Sequence, residues 1–299
     1  MDAAPYIPEQ YKLSGRVGRA PLVAVLFGVP AALCGGWLYA LVCYAVDHGR
    51  AQFWVSLAGP PIFGLGIYFL LSKARCRSPF FAFLAGALIG AAANYFHWAA
   101  YLYFKQVAMS TGALGGFFQW ARDPHELLKG ISTLASASGA GGIGEGAWTC
   151  EAAWTILCTA FVPWVVLKTE VYCESCGVWC KETKGIAFTE VPGDDALMGK
   201  LRTGRIEALL ELKSLPKEPP VSHVRVSQAL CPSCQNFGTY DLELKKIKKD
   251  EKGRESTSAE DLAMEMLLSP ATAPVLGQLI ARTQSAVAEA PPAPTAPSS

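Results

Sequence analysis

The sequence predicts a membrane α-helical bundle of about four transmembrane helices, followed by a small α+β cytoplasmic domain. Three observations carry that expectation. The 299 residues are 51% apolar and only 17% charged, far from an ordinary soluble domain, and the apolar residues concentrate in the first 167 positions. Four apolar runs there reach the roughly 20 residues that a helix needs to cross a bilayer. Two C-x-x-C pairs, Cys173 with Cys176 and Cys231 with Cys234, then stand in a much more polar stretch.

Residues 1–20 are a polar cytoplasmic leader with Lys12, Arg16 and Arg19. Residues 21–46 form the first crossing. The run is too long for a signal-peptide core and has no clear cleavage site, so it reads as a retained anchor. The second run, residues 53–72, contains Gly59-Pro60-Pro61. Prolines remove backbone donors, so a kink, or a helix that starts only at Pro60, is expected there. The third run, residues 80–104, has Asn94 and His97 as its polar exceptions, three apart and therefore on one face. The fourth, residues 147–167, carries Glu151, Cys158 and Pro163. Between the last two lies an external loop, residues 105–146. It holds a short surface helix over 124–134 and a flexible Ser-, Ala- and Gly-rich stretch over 135–146, with no catalytic spacing.

Orientation follows from the basic residues between crossings. The short loop 73–78 holds Lys73, Arg75 and Arg77, whereas residues 105–146 hold only Lys105, Arg122 and Lys129. Basic loops stay inside, so both termini are expected in the cytoplasm of a multi-pass protein of a bacterial inner membrane. Gly28, Ala32, Gly36 and Ala40 form one small-residue stripe, and Ala82, Gly86, Gly90 and Asn94 another. Such stripes let helix backbones approach closely and suggest a compact bundle or a homo-oligomer.

Ionisable groups inside a bilayer cost about 2.5–3.5 kcal/mol at the centre, so His97 and Glu151 invite a functional reading. Both fall toward the outer leaflet, near Asn94. One reading is the ion or proton relay of a small transporter or proton-linked channel. The other seats His97 in an aromatic belt with Tyr95, Trp98 and Tyr101, and Glu151 about one turn from the surface. Asp47 and His48 fall at a helix end, where charge needs no special account.

The cysteine pairs have metal-ligand spacing. Two residues between cysteines let both sulfurs face one point, and a second such pair completes a tetrahedral thiolate set at about 2.3 Å. Gly177 suits the tight turn after Cys176, because glycine takes positive φ without strain. Strands are expected over 185–191, 223–229 and 239–247, with a helical insertion over 194–213. On these residues the stretch 170–250 resembles a zinc ribbon, a two-knuckle fold on a small sheet. The resemblance implies one structural zinc ion held by Cys173, Cys176, Cys231 and Cys234. Cys180 is an extra thiol, read as a small buried residue, an exchangeable ligand or half of a redox pair. A redox pair among Cys173, Cys176 and Cys180 would instead indicate a membrane thiol oxidoreductase.

Residues 251–288 are read as a C-terminal helical segment, with helices over 258–268 and 274–288, and 289–299 as a disordered tail. Lys245, Lys246, Lys248, Lys249, Lys252 and Arg254 make the one dense basic run. Because residues 168–289 carry 16 basic and 18 acidic side chains, the run reads as a solvated strand and turn rather than a nucleic-acid surface. No Gly-rich phosphate loop, H-E-x-x-H or G-x-S-x-G is present, and there are only four histidines. The sequence therefore points away from an enzyme and toward a membrane-anchored zinc module that binds or assembles a cytoplasmic protein partner.

Overall fold

The structure, a computed structural model, describes residues 8–46, 49–109, 115–137, 141–217, 219–249 and 255–289. Asp47, His48, Lys252, Arg254 and residues 290–299 of the expected disordered tail lie outside the described residues, as do residues 138–140 of the external loop. The chain divides into two compact units, Leu13–Glu170 and a second made of Met1–Lys12 with Val171–Ser299.

Among the described residues of the first unit, four helices are long and apolar enough to cross a membrane. Helix α1 is Ala20–Ala45, with a π turn at Ala24–Gly28 just before Pro30, whose missing N–H interrupts the regular ladder. Helix α2, Gly49–Lys73, runs unbroken through Pro60 and Pro61, so the expected start at Pro60 is not what forms. Pro61 cannot donate to the carbonyl of Leu57 one turn back; instead the indole Nε1–H of Trp154 donates to that oxygen at 3.2 Å. A neighbouring helix thus supplies the partner that proline removes. Helices α3, Pro79–Met109, and α6, Gly141–Lys168, outrun the expected third and fourth crossings. Between them stand α4, Gly115–Arg122, which sequence reasoning missed, and α5, Pro124–Ala137. The Asp123 carboxylate caps α5 by accepting from the N–H groups of His125 and Glu126.

Both small-residue stripes are taken up inside the chain. Helix α1 packs on α3, and α3 on α6. A Cβ added at Gly36 would lie 2.5 Å from the Ala93 carbonyl oxygen, and one at Gly86 or Gly90 would overlap Thr159. Pro163 leaves the Thr159 carbonyl without its i+4 donor, and Gly86 packs directly over that oxygen.

The second unit is α+β. A two-residue hairpin, β1 (Tyr172–Cys173) with β2 (Val178–Trp179), precedes an antiparallel sheet in the order β3–β4–β5–β6. Its strands are Lys181–Glu190, His223–Leu230, Gly238–Lys249 and Glu255–Leu267. Alternate residues Val224 and Val226 of β4, with Tyr240, Leu242 and Leu244 of β5, are buried in one core. Helix α7, Asp195–Arg202, a 3-10 turn Ile206–Glu211 and helix α8, Thr272–Glu289, complete it through Leu201, Leu209 and Leu279.

Two expectations are corrected here. The helix expected over 194–213 breaks into α7 and the 3-10 turn, because Gly204 adopts φ +78 where the side chain of Met266 leaves no room for a Cβ. Residues 258–268 are not the first part of a helical segment: all but Leu268 belong to β6. Glu260 faces basic partners instead of capping a helix, with Lys246 Nζ at 2.6 Å and Arg202 at 3.0 Å. Leu262, Ala263 and Met266 are buried by the sheet, and irregular register against β5 accommodates the extra residues. Lys245, Lys246, Lys248 and Lys249 thus belong to a paired strand.

Residues 9–11 of the leader continue that sheet. Gln10 bridges Met266, the Tyr11 N–H donates to the Glu265 carbonyl, and the Leu267 N–H donates to the Glu9 carbonyl, both at 2.7 Å.

Candidate metal centre

The two C-x-x-C pairs close into matching turns. Gly177 and Gln235, each following the second cysteine, both take positive φ (68° and 56°). Each donates its N–H to the carbonyl of the first cysteine, Gly177 to Cys173 at 2.9 Å and Gln235 to Cys231 at 3.0 Å. The Cys231 N–H is held in turn by the Phe237 carbonyl at 2.9 Å. The consequence is convergence: the sulfurs of Cys173, Cys176, Cys231 and Cys234 all lie within 4.8 Å of one another, and those of Cys173 and Cys234 are 4.0 Å apart. Four thiolates at about 2.3 Å from one centre would stand about 3.8 Å apart, so the set can hold a metal ion.

The four thiols influence one another. Backbone N–H groups of Cys234 and Ser233 pull the Cys231 thiol down to about 6. Hydrogen bonding to Cys234 and Cys231 pushes Cys176 up to about 12. One thiolate forms readily and discourages its neighbours; a bound cation would reverse that discouragement for all four. Cys180 stands outside the cluster. Burial, then the nearby charge of Cys231, Cys173 and Cys234, pushes its thiol up to about 12, and its N–H donates to the Val171 carbonyl.

The chain matches no protein-family model, no curated protein and no solved structure. The site is therefore read from its own chemistry.

Tyr11 is a supporting residue that sequence reasoning missed. Its hydroxyl accepts from the Tyr172 N–H at 3.1 Å and donates to the Tyr172 carbonyl at 3.3 Å, fixing the residue before Cys173. Its ring meets Phe237, beside the other pair, edge-on at 6.0 Å. Trp179 packs on Tyr172 at 4.9 Å. Tyr11 thereby ties the two knuckles together.

Within the helical unit, Glu151 and His97 come together: Glu151 Oε1 is 4.0 Å from His97 Nε2. The nearer partner is Tyr39, whose hydroxyl donates to Glu151 at 2.7 Å, with Ser56 at 3.5 Å. The Tyr39 and His97 rings are 4.4 Å apart. Asn94 shares the α3 face of His97, but its Oδ1 has no partner. Tyr39 and Ser56 lie on α1 and α2, and no local pattern links them to a glutamate on α6. His97 also belongs to the expected aromatic group, with Trp98 at 5.0 Å and Tyr101 at 6.1 Å.

Proposed function

We propose that the chain is a multi-pass membrane protein whose sheet unit is held closed by one structural zinc ion on Cys173, Cys176, Cys231 and Cys234, and serves as a cytoplasmic binding or assembly surface. The observation that carries this reading is the convergence of four sulfurs from two matching turns. A four-thiolate site leaves no open position for substrate or water, which argues for folding over catalysis. Zinc fits the all-sulfur donor set, and a reducing compartment favours it over disulfides. Pairing of residues 9–11 with β6 supports leader and sheet unit lying on one side of the membrane, as an even number of crossings requires. The basic loop 73–78 supports that side being the cytoplasm.

The test is elemental analysis of the full chain purified in detergent, with thiol alkylation before and after chelation. About one zinc per chain, shielding four cysteines until chelator is added, supports the reading. Serine at any one of the four should abolish stoichiometric zinc and make the sheet unit protease-sensitive while the protein stays in the membrane. Retained zinc and a resistant tail in such a variant would end the proposal.

A second reading rests on the Tyr39–Glu151–His97 cluster. A proton-linked transporter would use it, and alanine at His97 would then abolish a flux without altering zinc content. Under the assembly reading, only changes in the sheet unit remove partner binding.

A further inference from the structure

Among the described residues of the helical unit, the buried atoms Asn94 Oδ1, His97 Nδ1 and Thr155 Oγ1 have no hydrogen-bond partner. They come from two helices, α3 and α6, yet all three residues line a single cavity of about 380 Å³. His97 is only 2% exposed. Unpartnered buried groups are few in folded proteins, and each calls for an occupant or a role. The hydrocarbon core of a bilayer offers no bulk water to supply one.

The cavity walls state what the occupant is. Apart from Tyr39, whose hydroxyl is committed to Glu151, the remaining lining is apolar, and the volume lies in the range of small-molecule sites. Gly66 faces open space, where an added Cβ would meet nothing within 4 Å, while Gly35 and Gly59 let the rings of Phe63 and Tyr39 lie close against the wall. Leu38 of α1 and Ile62 of α2 line the cavity and are also 61% and 67% exposed, so it opens between these helices on the outer apolar surface. The side that in a membrane faces lipid is therefore the way in.

The head group follows from the three atoms. Asn94 Oδ1 only accepts, whereas an imidazole nitrogen and a hydroxyl each donate or accept. A carbonyl or ether head would leave Asn94 unanswered; a hydroxyl answers it and one of the others. Glu151 is engaged by Tyr39 and Ser56 and does not line the cavity, so no charge on the ligand is called for. We propose that this cavity binds an uncharged, lipid-soluble molecule with a hydroxyl head and an apolar body, an alcohol or phenol that enters sideways from the bilayer. The inference is independent of the metal centre.

The test uses the full chain in phosphatidylcholine vesicles and a diazirine-bearing long-chain alcohol, compared with its methyl ether, which cannot donate. The alcohol should label residues lining the slot on α1 and α2, be displaced by excess unlabelled alcohol, and bind about tenfold more tightly than the ether, the value of roughly one hydrogen bond. Asn94→Leu and Thr155→Val should each weaken labelling by the alcohol, with zinc content and thermal unfolding unchanged. Equal labelling by alcohol and ether in the unaltered chain, or no displacement, would overturn the proposal and leave a lipid-filled groove. Because that comparison needs no variant, a misfolded mutant cannot obscure it.

Discussion

The Tyr11→Phe substitution probes the least expected part of the metal centre. It keeps the ring against Phe237 and deletes only the hydroxyl that serves both the N–H and the carbonyl of Tyr172. Each such bond contributes about 0.5–1.5 kcal/mol net, so losing two costs about 1–3 kcal/mol. Because folding of a metal-closed unit and metal binding are coupled, the loss should be felt as affinity. It corresponds to about 5- to 150-fold weaker zinc binding, in line with the roughly 10- to 100-fold effect of losing an outer-shell contact. Competition against a chromophoric chelator, on full-length protein in detergent, reads it directly. Tyr11→Ala, which also loses the ring, should be weaker still. Wild-type affinity in Tyr11→Phe would refute the reasoning, because the leader would then have no hold on the knuckle.

The turns and helices allow further tests. Gln235→Gly should be neutral or stabilise the second turn, because a non-glycine residue at φ 56 carries about 1–2 kcal/mol of strain, while Gly177→Val should lose a similar amount; proteolysis of the sheet unit at limiting zinc reports both. Gly86→Val should destabilise the bundle by about 1–3 kcal/mol or more through collision with the Thr159 carbonyl, whereas Gly66→Ala should be tolerated, as measured by unfolding in mixed SDS and detergent micelles. Protons compete with metal for thiolates, so zinc should stay bound at neutral pH and be released as pH falls. Free of metal, the depressed Cys231 thiolate takes up its proton only through about 6, so a bound zinc ion should hold until the pH falls below that and then leave as several sulfurs are protonated together. Zinc release that does not change with pH from neutral down to strong acid, read with an indicator dye, would rule out thiolate ligation.

Much of the scaffold was legible because the signals are local. Four apolar runs announce four helices whatever packs beside them, and the C-x-x-C spacing announces a knuckle before its sheet exists. Strands β4 and β5 were legible through alternation at Val224, Val226, Leu242 and Leu244. Strand β6 was not: Glu260 and Asp261 read as the acidic first turn of a helix, and only pairing with β5, with Leu262, Ala263 and Met266 buried, turns the segment into sheet. Local propensity lost to tertiary pairing. The same limit hid Tyr39 and Ser56 from Glu151, since polar side chains on separate helices advertise nothing about whom they will meet. The unbroken α2 depends likewise on Trp154, a donor that no reading of Pro60 and Pro61 alone supplies.

The leader's pairing with β6 also has a consequence in time. During synthesis Gln10 is made before Met266, with the four long apolar helices made between them. Residues 9–11 cannot find their place in the sheet until those helices and β6 have been made. Tyr11 cannot brace Cys173 before then either. A chain cut short before β6 would have both cysteine pairs and the four helices, but no edge on which residues 9–11 could settle.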